Sequence, residues 1–94
     1  MFAVIFTSTL SDDTAGYEDT AERMVELCRR RPGFAGIHSV RGTDGHGITV
    51  CLWDSLDAID AWRDDLEHAA ARAEGRDRWY SDYRLMVCEV IDGR

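Results

Sequence analysis

The sequence predicts an α+β fold, one antiparallel sheet carrying helices, and three observations support it. Four stretches have the two-residue period of strands, two stretches between them place apolar residues at helical spacing, and Gly- or Pro-containing turns separate the elements. With 94 residues there is room for a single small domain, residues 1–94, with little core to spare.

Residues 2–10 form the first strand, apolar on both faces: Ala3 and Ile5 on one, Phe2, Val4 and Phe6 on the other. Asp12 or Asp13 can cap the helix that follows. Its stripe is Tyr17, Ala21, Met24, Leu27 and Cys28, while Glu18, Asp19, Glu22, Arg23 and Glu26 face water. Arg29 to Arg31 suit the negative end of the helix dipole, and Pro32-Gly33 stops the helix. Ala35 to Arg41 and Gly47 to Trp53 read as a hairpin turned at Gly42-Thr43-Asp44-Gly45.

Ser55 or Asp54 caps the second helix, whose stripe runs Leu56, Ile59, Trp62, Leu66, Ala69 or Ala70, and Ala73, with Gly75 as C-terminal cap. Tyr80 to Ile91 form the last strand. The order β-α-β-β-α-β is that of a ferredoxin-like split unit with both helices on one face. The other face is expected to be apolar and uncovered, carrying Phe2, Val4, Phe6, Met86 and Val90. The simplest completion is a homodimer with sheets packed face to face.

A net charge of −7 without a basic cluster excludes a nucleic-acid partner, because phosphate contacts need a basic footprint. Cys28, Cys51 and Cys88 are odd in number and set in apolar segments, as in reduced core residues of an intracellular protein. They do not make a metal site. MFAVIF is too short for a signal sequence or a membrane span, so no membrane partner is expected and the expected location is cytoplasmic.

The stretches Pro32 to Phe34, Leu52 to Trp62 and Glu67 to Arg84 resemble the antibiotic biosynthesis monooxygenase family over essentially the whole chain. The resemblance implies a dimeric α+β barrel with a pocket between sheet and helices in each monomer. The family includes cofactor-free oxygenases that convert anthrones or quinols to quinones, haem-degrading enzymes, and members with no assigned role. The haem-degrading branch uses a first-strand asparagine, a tryptophan, and a histidine ligand ten residues after it. Here Trp62 matches the tryptophan, Thr7 is the occupant of the asparagine position, and Arg72 stands where the ligand would be. Haem degradation is not expected.

Cofactor-free oxygenation needs a base, a cation for the substrate anion and a dry aromatic slot. His68 is the candidate base, Asp64 one helical turn earlier its orienting carboxylate, and Arg84 the anion partner. Trp62 and Trp79 are candidate pocket walls for a small aromatic substrate, with Tyr83, His38 and Thr7 as further contacts. Tyr80 and Tyr83 have opposite strand parity, so only one should face the helices. Arg41 and Arg76 are further candidate cations, and Arg63 is placed for a pair with Glu67. Each residue has a plainer alternative: a histidine on a solvated helix face, a surface ion pair, a core aromatic. The expected activity is monooxygenation of a phenolic polycycle or quinol with molecular oxygen and no cofactor. Polyketide cyclisation or isomerisation by the same base and a non-catalytic binding dimer are the alternatives.

Overall fold

The computed structural model describes residues 1–94, the side chain of Leu66 excepted. Strand β1 (Phe2–Leu10) is followed by helix α1 (Tyr17–Arg29), the hairpin β2 (Phe34–Arg41) and β3 (His46–Trp53), helices α2 (Leu56–Asp64) and α3 (Leu66–Glu74), a wide π-helical turn (Gly75–Trp79) and β4 (Tyr80–Glu89). The sheet is antiparallel in the order β2-β3-β1-β4, with β2 and β4 as edges. The α+β order is therefore as the sequence predicts, with the second helix divided in two. Among the described residues, no helix is long and apolar enough to cross a membrane.

The core lies between the helices and one face of the sheet, where Cys28, Cys51, Trp53 and Ile59 pack with Phe2, Val4, Phe34, Ile37, Ala58 and Trp62. Strand register assigns the remaining residues. Val4 pairs with Cys51 and Val87, and Phe6 with Thr49 and Leu85, so Phe2, Val4 and Phe6 lie on the helix side. Ile5 pairs with Val50 and Met86, placing those three on the helix-free face. The expectation that Phe2, Val4 and Phe6 share the uncovered face with Met86 is thus corrected. β1 is apolar on both faces, so its own alternation carries no sign, and a one-residue choice inverts the assignment. The helix-free face is nonetheless apolar: Val40, Ile48 and Met86 are exposed there beside Ile5, Val50 and Leu52.

Helix ends also differ in detail. Gly16, with φ 81°, precedes α1, and neither Asp12 nor Asp13 caps it. Ser55 does cap α2, its side chain accepting from the Ala58 N–H at 3.1 Å. Gly75 is right-handed helical rather than a left-handed cap, and the chain continues through it into the π-turn. A methyl group there would stand 2.6 Å from the Tyr80 ring, so close packing accounts for the glycine. Along α2 and α3, Ile59, Trp62, Ala69 and Ala73 turn inward, Ala70 is exposed, and the expected place of Leu66 on the stripe lies outside the described residues.

Candidate functional site

The division between α2 and α3 creates the site. Asp65 has extended backbone (φ −57°, ψ 127°) that no helix continues through, and its carboxylate caps α3 by accepting from the His68 backbone N–H at 3.0 Å. The break turns the His68 side chain back onto α2. Its Nδ1 lies 2.9 Å from the Trp62 carbonyl oxygen, and the imidazole stacks on the Trp62 indole with centroids 4.0 Å apart and planes 11° off parallel. A carbonyl can only accept, so Nδ1 carries the hydrogen and the neutral ring presents Nε2 as its basic nitrogen. Trp62 stacks in turn on fully buried Trp53 at 6.4 Å, and Phe34 meets Trp53 edge-on at 5.9 Å. The result is a column Trp53, Trp62, His68 leading outward from the core.

Burial holds the His68 imidazole below its usual pKa of 6.5. The hydrogen bond to the Trp62 carbonyl opposes the shift, Arg72 reinforces it and Asp65 opposes it. Asp64, expected as the orienting carboxylate, is not among the groups that act on the ring. The Asp64 side chain is 78% exposed and lies 4.0 Å from Arg63, while Asp65, one residue on, is the carboxylate that acts on the ring. The same break prevents the expected pairing of Arg63 with Glu67. Arg63 binds Asp60 at 3.1 Å, and Glu67 binds Arg23 of α1 at 2.9 Å.

The other sequence candidates do not join His68. Thr7 pairs with Arg84 and with Ile48, and His38 with Val50, so Thr7, Arg84 and His38 lie on the helix-free face. Arg84 is therefore separated by the sheet from the base it was expected to serve. Trp79 and Tyr83 lie on the helix side but toward the opposite end. Trp79 is 5% exposed, donates from Nε1 to the Ala15 carbonyl at 3.0 Å and packs edge-on against Tyr17. Tyr83 stacks on Phe6 at 6.2 Å, and Tyr80 also meets Phe6, at 5.3 Å. Both tyrosines reach the helix side because the register shifts between Thr9 and Leu10, an irregularity that the alternation rule does not foresee.

That second end holds a polar network. Arg41 donates from Nη1 to the carbonyls of Ser8 (3.2 Å) and Gly45 (2.6 Å), and from Nη2 to the hydroxyls of Ser8 (2.8 Å) and Tyr17 (3.0 Å). Gly47 makes room for it, since a methyl there would meet the guanidinium at 2.6 Å. Burial, with Tyr17 next to it, pushes the Tyr80 hydroxyl pKa up, so Tyr80 stays neutral. Sequence reasoning named Arg41 without its partners, and missed Ser8, Asp65 and the stacking of Trp53. Only Asp65 left a signal, as a capping residue type directly before Leu66-Glu67.

Two open clefts flank α1. One, of about 520 Å³, includes Tyr17, Ser39, Val40 and Arg41, and the other, of about 490 Å³, runs between α1 and α3 beside Arg23, Met24, Glu67 and Trp79. Neither is lined by Trp62 or His68. A third concave region follows from the layout of the sheet: the helix-side residues of β4, Tyr83, Leu85 and Val87, are 47%, 54% and 49% exposed because no helix covers that edge. Val87 pairs with Val4, which packs on the same core as Trp62, so this apolar strip leads toward the column.

The family described as antibiotic biosynthesis monooxygenase matches residues 1–74. The chain belongs to that family. Among solved structures similar to this antibiotic biosynthesis monooxygenase domain, Rv0793 from Mycobacterium tuberculosis superposes with a TM-score of 0.85 at 17% identity, covering 98% of this chain and 96% of that one. SnoaB, a cofactor-independent oxygenase from Streptomyces nogalater, gives 0.81 at 16% identity, covering 98% and 94%. At such identities the likeness carries the fold alone. The uncharacterized protein YqjZ of Bacillus subtilis (strain 168) is 53% identical over 89 residues, which are 95% of this chain and 78% of that protein.

Proposed function

We propose that the protein is a cofactor-independent monooxygenase that converts a phenolic polycycle of anthrone type, or a quinol, to a quinone, with His68 as the base. The observation that carries this reading is the buried imidazole on Trp62, its Nδ1 engaged and its pKa lowered, so that Nε2 is an unprotonated base at neutral pH. The substrate lies against Trp62 and along the uncovered helix side of β4. Nε2 removes the acidic C–H proton, and the carbanion gives one electron to oxygen. The radical pair joins as a peroxide, which loses water to leave the carbonyl. For an anthrone, one CH₂ and one O₂ thus become one C=O and one H₂O, with all electrons supplied by the substrate; a quinol instead gives two electrons and its two hydroxyl protons to O₂, leaving the quinone and H₂O₂. A resident cofactor has no step to perform.

The cation for the substrate anion is Arg72 rather than Arg84, because Arg72 acts on the His68 ring from the same helix whereas Arg84 is on the far face. SnoaB is described as a cofactor-independent oxygenase, which supports the oxygen chemistry by analogy of fold. The working form is a cytoplasmic homodimer, supported by the exposed apolar residues of the helix-free face. Ile48→Asp, on that face, should dissociate it in light scattering. A folded monomer in the unaltered chain at micromolar concentration would refute the dimer.

Oxygen uptake with an anthrone or hydroquinone tests the activity. His68→Ala should lower turnover by roughly 10² to 10⁴, the usual worth of a general base, with melting nearly unchanged. Parental turnover in that variant would remove His68 from the mechanism. Product formation without oxygen consumption would instead assign the base to cyclisation or isomerisation.

A further inference from the structure

Cys28 on α1 and Cys51 on β3 face one another inside the core, with Sγ atoms 3.5 Å apart, and are 2% and 7% exposed. The monooxygenase reading uses neither residue. β3 is an inner strand, paired with β1 and β2, so this contact joins the helix layer to the middle of the sheet. All three cysteines are free thiols.

From this juxtaposition we propose that Cys28 and Cys51 form a peroxide-oxidisable dithiol, a modification site that closes to a disulfide between α1 and β3. A disulfide needs sulfurs about 2.05 Å apart, so the pair must close by roughly 1.5 Å. Either sulfur can donate in this contact. With Cys28 as the donor, the bond lowers the Cys51 thiol pKa against the opposing effect of burial, and the same bond, then burial, raises that of Cys28, which makes Cys51 the nucleophile.

The chemistry balances with hydrogen peroxide as the oxidant. The Cys51 sulfur attacks the O–O bond, giving a sulfenic acid and one water. The Cys28 sulfur then displaces the second water, so two thiols and one peroxide become one disulfide and two waters. Burial affects the two steps differently. The first step waits for local opening of α1 over the sheet and is slow. The second needs no diffusion, because the partner sulfur is already in contact, so the sulfenic acid closes to a disulfide before a second peroxide can carry it to the sulfinic acid. Cys88, on β4, has no such partner.

The test treats the full chain with hydrogen peroxide, blocks residual thiols under denaturing conditions, and maps peptides by mass spectrometry. A linked peptide containing Cys28 and Cys51, lost on dithiothreitol treatment and retained in Cys88→Ser, is the expected result. Cys28→Ser should convert the product at Cys51 to a sulfenic acid trapped by dimedone. The unaltered chain decides the question even where that variant folds poorly. Closing the loop between these residues should raise the melting temperature of the oxidised form by roughly 10 °C. Free Cys28 and Cys51 at a peroxide dose that oxidises Cys88, a disulfide that includes Cys88, or a lower melting temperature in the oxidised form would overturn the proposal.

Discussion

The two ends of the helix-side layer are built from the same strands and held by opposite means. At one end Phe2 and Trp53 face each other across β1 and β3, and Trp53, Trp62 and His68 stack outward from a core without charges. At the other, Ser8 and Gly47 occupy the equivalent pairing, and Arg41 ties two carbonyls and two hydroxyls together. The difference lies in which polar atoms are already committed. Both Nη atoms of Arg41 are bound into the fold, whereas His68 engages the fold through Nδ1, and the proposed reading gives Nε2 to the substrate.

Trp53→Ala is the most severe way to break the comparison. It empties a fully buried indole site and should cost about 3–5 kcal/mol, measured by denaturant unfolding. A loss below about 1 kcal/mol would mean that the column does not support the core. Arg41→Met should cost about 1–3 kcal/mol, mainly by leaving the Ser8 hydroxyl and carbonyl unpaired, while turnover changes little. A large loss of turnover at unchanged stability would transfer the chemistry to the polar end.

A pH series sharpens the contrast further. The folded pKa of His68 lies below its unfolded value of 6.5, so between the two the unfolded chain binds more protons. The His68 contribution to stability therefore falls as pH drops below about 6.5, and His68→Ala should remove that part of the slope. Turnover should persist to pH values below 6.5 before its acid limb. Asp65→Asn should move that limb lower still by removing a charge that favours the imidazolium, and Asp64→Asn should leave it in place. A limb that responds to Asp64 and not to Asp65 would restore the assignment read from the unbroken helix. The smallest effect is expected between the layers' exposed surfaces. A double-mutant cycle on Arg23 and Glu67 should give little or no coupling, since both side chains are about half exposed and solvent screens the pair.

The sequence disclosed the element order because strand and helix periods differ and because the Pro32-Gly33 and Asp44-Gly45 turns punctuate them. It was a poorer guide wherever a result depended on pairing between strands. Phe6 and Ile5 are both large and apolar, and only the register with Thr49, Val50, Leu85 and Met86 decides which faces the helices. For the same reason the alternation of β4 alone did not reveal that Arg84 and His68 lie on opposite sides of the sheet. His68 and Trp62 were legible as residues of interest, but a continuous helical pattern conceals the break at Asp65 that stacks one on the other.

That break also governs how the molecule opens. α2 and α3 are nine residues each, shorter than the roughly 12–15 that an isolated helix needs in water, so neither is stable without its neighbours. With its cap on Asp65 and its main tie to α1 an exposed ion pair, α3 can unfold while α2 and Trp62 remain docked on the sheet. Its amides should therefore exchange with solvent deuterium well ahead of those in β1 and β3. The imidazole moves with α3 and the indole with α2, so each opening separates the two rings, and on the proposed reading the closing rate of this single segment would set an upper limit on how fast substrate is captured.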